Sequence, residues 1–154
     1  MLLSEFLDFD GIRTGFPGGS KRALLQQLAN VAGQRLRLDS AAILASLMER
    51  ERLGSTGFGQ GFAIPHGKID GLTRIYGLFV RLGEPVDYKA LDDVRVDLVF
   101  LLLSPPESGA EHLKALAAVS RVARNATTLD KMRGARSRDA LAAVLMGADE
   151  RDAA

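Results

Sequence analysis

His66 and His112 are the only two histidines in a chain of 154 residues that has no cysteine, so nucleophilic chemistry near neutral pH falls first to them. His66 ends the most glycine-dense stretch of the sequence. Gly54, Gly57, Gly59 and Gly61 lead into Phe62-Ala63-Ile64, followed by Pro65, His66, Gly67 and Lys68. The pattern predicts a loop, a short buried strand and an abrupt stop, because Pro65 has no amide hydrogen for a sheet. His66 is then expected where that strand opens into solvent. Gly67 carries no Cβ, which would let a phosphate or a partner's backbone approach the imidazole, and Lys68 adds a cation. The stretch suits an anion. A lone histidine is nevertheless more often a hydrogen-bonded structural residue than a reactive one, and residue types alone leave both readings open.

Other chemistries fail on spacing. A P-loop ending at Gly67-Lys68 needs glycine at position 62 and Ser or Thr at 69, where the chain has Phe62 and Ile69. The alternate glycines of Gly57-Phe58-Gly59-Gln60-Gly61 miss the dinucleotide fingerprint, whose third glycine would fall on Phe62 and whose helix Pro65 would interrupt. No third ligand accompanies the two histidines, so no metal site is expected.

The elements that must hold these residues can be read from periodicity. Residues 1–19, with Gly11, Gly15, Gly18, Gly19 and Pro17, predict a loop-rich lead-in. Ser20 caps a helix whose stripe is Leu24, Leu28, Val31 and Ala32, widened by Leu25 and Leu36. Asp39 or Ser40 caps a second helix with Ile43, Leu44, Leu47 and Met48 inward, ending at Glu49-Arg50-Glu51-Arg52. That charged run reads as a solvated helix end with weak ion pairs. Strands are expected at 75–80 and 94–103, the second alternating and then wholly apolar, as in a strand buried on both faces. Pro85 and Asp92-Asp93 mark turns. Ser108 and Glu111 form a capping box for the next helix, where His112, Leu116, Val119 and Ala123 share a face. His112 could simply pack there, although the first helical turn after a central strand is also where α/β folds gather ligand groups. Short helices near 129–133 and 137–146 and a frayed acidic tail complete one domain over residues 1–154.

Composition excludes several partners. Hydrophobic residues are 47% and charged residues 25% of the chain, with a formal net charge of +1, so no global field draws it to nucleic acid or membrane. The basic stretch from Arg121 to Arg138 has no interleaved aromatic residue for stacking on bases. Glu5 stands where a signal peptide would be basic, and no apolar run reaches membrane-spanning length, so a cytoplasmic protein is expected.

Leu53-Gly54-Ser55-Thr56-Gly57, with Gly59, Gly61 and Ala63-Ile64-Pro65-His66-Gly67-Lys68, resembles the active-site signature of phosphotransferase-system IIA proteins of the mannitol/fructose type, and among them the nitrogen-regulatory branch. The resemblance covers roughly residues 20–146. It implies an α/β fold, a single domain with a mixed central β-sheet flanked by helices. It also implies that His66 accepts a phosphoryl group on Nε2 from a histidine phosphocarrier, which draws on phosphoenolpyruvate through the first enzyme of the system. By position it makes His112 a second active-site histidine and Arg50 the guanidinium beside His66, with Thr56 and Gly67 as phosphate-binding candidates. No cofactor or metal is implied. Two functions follow from the resemblance: a regulatory protein whose partners depend on its phosphorylation state, or a sugar-specific IIA component passing phosphate to a IIB protein.

Overall fold

The computed structural model describes residues 1–153, with side chains as far as Asp149. In chain order the strands are β1 (Arg13–Phe16), β2 (Gly57–Gly59), β3 (Phe62–Ala63), β4 (His66–Lys68), β5 (Tyr76–Val86) and β6 (Val96–Ser104). The helices are α1 (Lys21–Leu36), α2 (Ser40–Arg52), α3 (Gly109–Ala123), α4 (Ala126–Gly134) and α5 (Arg138–Ala153). The six strands form one mixed sheet ordered β1-β5-β6-β3-β2, with β4 also on β6. β5 runs antiparallel to β6, whereas β3 and β4 pair parallel to its other edge, one after the other.

β6 is the axis because its side chains have nowhere to go but inward. Leu98, Phe100 and Leu102 join the cluster built with α3, α4, α5 and the N-terminal segment. Val99, Leu101 and Leu103 join the cluster under α1 and α2. None of these six is more than 1% exposed. At about 1.5–3 kcal/mol for each large apolar side chain buried, this strand anchors a three-layer sandwich. The apolar run expected at its later half is therefore a centre strand, as read.

Several local expectations are corrected. Residues 1–19 are not mere loop: two 3-10 turns, Leu3–Glu5 and Phe9–Gly11, precede β1, which pairs parallel with β5. Asp149 holds this segment by accepting from Leu3 N at 2.6 Å and Ser4 N at 3.0 Å. The tail expected to fray is thus helical and docked at least to Asp149; side chains beyond it, and all of Ala154, lie outside the described residues. Pro85 lies within β5, in the stretch where the register with β6 shifts between Arg81 and Val86, so its missing amide costs no ladder bond there. Ser108 makes no side-chain cap; its hydroxyl donates to Pro105 O at 2.6 Å, and Glu111 pairs with Lys114. The caps at Ser20 and Asp39 form as expected, accepting from Ala23 N and Ala41 N.

Candidate functional site

The chain does not stop at Pro65. It breaks the pairing at Ile64-Pro65 and resumes as β4, so His66 is itself a strand residue opposite Leu102 and is half-buried. Its Nδ1 lies 2.7 Å from Ile64 O. A carbonyl can only accept, so Nδ1 carries the proton and Nε2 presents its lone pair. Arg50 Nε donates to that Nε2 at 3.2 Å, and the same guanidinium donates through Nη1 to Gly54 O at 2.8 Å. Both bonds to the ring require the same neutral tautomer. Burial holds the imidazole below its ordinary value of 6.5; the Arg50 charge pushes the same way, while the Ile64 bond and Glu51 pull back.

The second imidazole completes the cluster. His112 sits in the first turn of α3, buried, with its ring centroid 5.6 Å from that of His66 and the planes inclined at 51°. Its Nδ1 is 2.6 Å from Ser104 Oγ, at the end of β6. His112 Nε2 has no protein hydrogen-bond partner among the described residues, and no buried side-chain nitrogen or oxygen there is left unpartnered, so Nε2 reaches solvent. Burial, the neighbouring His66 and Lys68 all hold it below 6.5. His112 therefore both packs and faces the site, which joins the two sequence readings. Arg50 and His112 both meet His66 at the start of β4, beside the end of β6, an arrangement able to offer a nucleophile and several donors to one anion.

Other expected residues fall differently. Gly67 does not leave room for a ligand: a Cβ there would meet Ser46 Oγ of α2 at 2.3 Å, so its small size lets the helix close on β4. Ser46 Oγ donates to Lys68 O at 3.0 Å across the same contact. Thr56 is buried and its hydroxyl is committed to Glu51 and Tyr88 rather than open to a phosphate. Glu51, expected in solvent, is a correction: its side chain is 5% exposed and bonds Lys21 at 2.6 Å. The signal was in the helix period, since Ile43, Leu47 and Glu51 fall at successive i, i+4 steps on the inward face of α2. The basic stretch is likewise less solvated than read, because Arg133 bonds Asp97 and Gln60 O, and Arg138 bonds Phe9 O.

Among the described residues no group of three or more His, Cys, Asp or Glu side chains is placed to hold a metal ion, and no helix is long and apolar enough to cross a membrane.

A histidine with an unprotonated Nε2, flanked by a second histidine and an arginine on a mixed sheet, is the kind of site a phosphohistidine protein needs. The family model of the phosphoenolpyruvate-dependent sugar phosphotransferase system, EIIA 2, matches residues 5–147, and the chain belongs to that family. Within it the chain is similar to a nitrogen regulatory protein of Bradyrhizobium diazoefficiens, 41% identical over 145 residues that cover 94% of this chain and 95% of the relative. The crystal structure of nitrogen regulatory protein IIA-Ntr from Neisseria meningitidis superposes with a TM-score of 0.87 at 33% identity, covering 93% of this chain and 98% of that one. A fructose-specific EIIA component of Haloferax volcanii is 34% identical over 130 residues, 84% of each chain.

Proposed function

We propose that the protein is a regulatory phosphocarrier that accepts a phosphoryl group on His66 Nε2 from a histidine phosphocarrier and changes partners according to its phosphorylation state. The observation that carries this is the Nδ1–Ile64 O bond, which leaves Nε2 as the nucleophile. The phosphorus–nitrogen bond to the donor imidazole breaks as the bond to Nε2 forms, and no proton leaves His66 because Nδ1 keeps its own. No separate general base is required. Arg50 turns from Nε2 to the phosphoryl oxygens. In this reading the 2.6 Å contact between Ser104 Oγ and His112 Nδ1 has the hydroxyl as donor, which puts the ring proton on His112 Nε2 for the same oxygens.

The similarity to nitrogen regulatory proteins supports regulation as the output. The fructose-specific relative favours a second reading, in which phosphate passes onward to a IIB protein. The test is labelling with phosphoenolpyruvate, the first enzyme and a phosphocarrier, with the phosphorylated nitrogen located by NMR. His66→Ala should take no label, and His112→Ala should take it more slowly; undiminished labelling of His66→Ala would discard the assignment. Transfer from the labelled protein to candidate IIB proteins decides between the two outputs.

A further inference from the structure

Behind Arg50 and His66 lies a buried polar cluster that the transfer chemistry does not use directly. Glu51 Oε2 accepts from Thr56 N at 3.1 Å and from Lys21 Nζ at 2.6 Å, while Oε1 accepts from the Thr56 hydroxyl and from Tyr88 Oη at 3.1 Å. Tyr88 is fully buried, and Lys21 Nζ lies 4.5 Å from the centre of its ring. We infer that Glu51 is a positioning residue for phosphoryl transfer, holding through Thr56 the turn whose carbonyls orient both the His66 ring and the Arg50 guanidinium. The inference rests on the reading of His66 as the phosphoacceptor.

One bonded path leaves this carboxylate, and a backbone bond of the same residue runs beside it. Along the path, Thr56 is fixed by its amide and hydroxyl on Glu51, and Thr56 O accepts from Ile64 N at 3.0 Å. Ile64 O then accepts from His66 Nδ1 at 2.7 Å, the bond that selects the tautomer. Beside it, the main-chain carbonyl of Glu51 accepts from Gly54 N at 3.1 Å and Gly54 O accepts from Arg50 Nη1 at 2.8 Å, so the carboxylate reaches Arg50 only by fixing, at Thr56, the far end of the turn that carries Gly54. Residues 53–56 contain Gly54 at φ 147, a conformation with no rigidity of its own, and Leu53 is 70% exposed. Glu51 supplies the stiffness from inside. A buried ion pair is a weak source of stability, so the cluster is better accounted for by the geometry it fixes. Its charge also opposes that of Arg50 at the imidazole.

Glu51→Gln keeps the shape but cannot accept from every donor at once. In the unphosphorylated variant, long-range proton–nitrogen NMR should show His66 shifting from pure Nδ1–H toward a mixture with Nε2–H. The phosphorylation rate at saturating donor should fall about 10- to 100-fold, the range that small misplacement at a reacting centre costs, while the donor concentration for half-saturation stays nearly constant. Tyr88→Phe, which removes one hydrogen bond from the same carboxylate and keeps the ring, should move both readouts the same way by less. A folded Glu51→Gln with wild-type tautomer and rate overturns the proposal. If that variant does not fold, unchanged tautomer and rate in Tyr88→Phe overturn it. The tautomer is read without phosphate, so absence of label on wild-type His66 would count against the phosphoacceptor reading alone.

Discussion

Arg50 Nε stands 3.2 Å from His66 Nε2, so the atom proposed to attack phosphorus is capped by a guanidinium hydrogen bond in the resting protein. On the proposed function the cap swings aside as phosphorus arrives, and the freed N–H groups then meet the phosphoryl oxygens. Arg50→Lys retains the positive charge but loses the planar fork and its hold on Gly54 O. The rate of phosphohistidine formation should drop roughly tenfold, about 1.4 kcal/mol of transition-state stabilisation, with the melting temperature little changed. Wild-type kinetics in stopped-flow or quenched labelling would return Arg50 to an ordinary surface role.

Acid should destabilise the protein through its two histidines. Both have folded values below 6.5. Over the interval between the folded and unfolded values the unfolded chain binds more protons, so this part of the stability is complete above the unfolded value and is lost as pH falls through the folded one. Denaturant midpoints should be flat above about pH 7 and decline from about pH 6.5 downward. In His66→Gln/His112→Gln the decline should start lower, where carboxylates such as Asp8, held down by Arg35, begin to protonate. An identical profile in that double variant would show that the imidazoles do not contribute.

Much of this is legible in the chain itself, and the exceptions share a cause. β6 and the inward stripes of α1 and α2 announce themselves because burial follows a short period in sequence. His66, Arg50 and His112 stand out by local motif and family resemblance, and the structure brings all three together. The misses depend on contacts between distant residues. Glu51 reads as solvated until Lys21, Thr56 and Tyr88 are seen around it, and Asp149 reads as tail until Leu3 and Ser4 donate to it. Gly67 reads as room for a ligand until Ser46 is seen in that space.

That last contact gives a stability prediction. Gly67→Ala puts a methyl on Ser46 Oγ, and relief requires the serine to rotate away from Lys68 O. Overpacking of this kind costs about 1–3 kcal/mol. Ser46→Ala removes the obstructing oxygen, so Ser46→Ala/Gly67→Ala should be more stable than Gly67→Ala plus the separate cost of Ser46→Ala. Additive unfolding free energies in this cycle would show that the two residues do not meet as described.

Phosphorylation should change charge locally without rebuilding the fold. His66 is held by β4 pairing with Leu102–Ser104 in the most buried strand, Arg50 by the last turn of α2, and His112 by the first turn of α3. None of these backbones can shift without unpacking one of the two cores, which costs far more than one phosphate contact returns. On the proposed function the output is then a dianionic patch at His66, with exposed Leu53 and Leu113 close in sequence to Arg50 and His112, attracting some partners and rejecting others. Backbone amide shifts of the wild type, compared before and after phosphorylation, should change within residues 50–68 and 108–114 and scarcely elsewhere. A His66→Glu variant should reproduce the pattern in part, since one carboxylate carries less charge than a phosphoryl group. Large shifts along the solvent-side residues of α1 or through α5 would mean a global switch, and regulation by local charge would have to be given up.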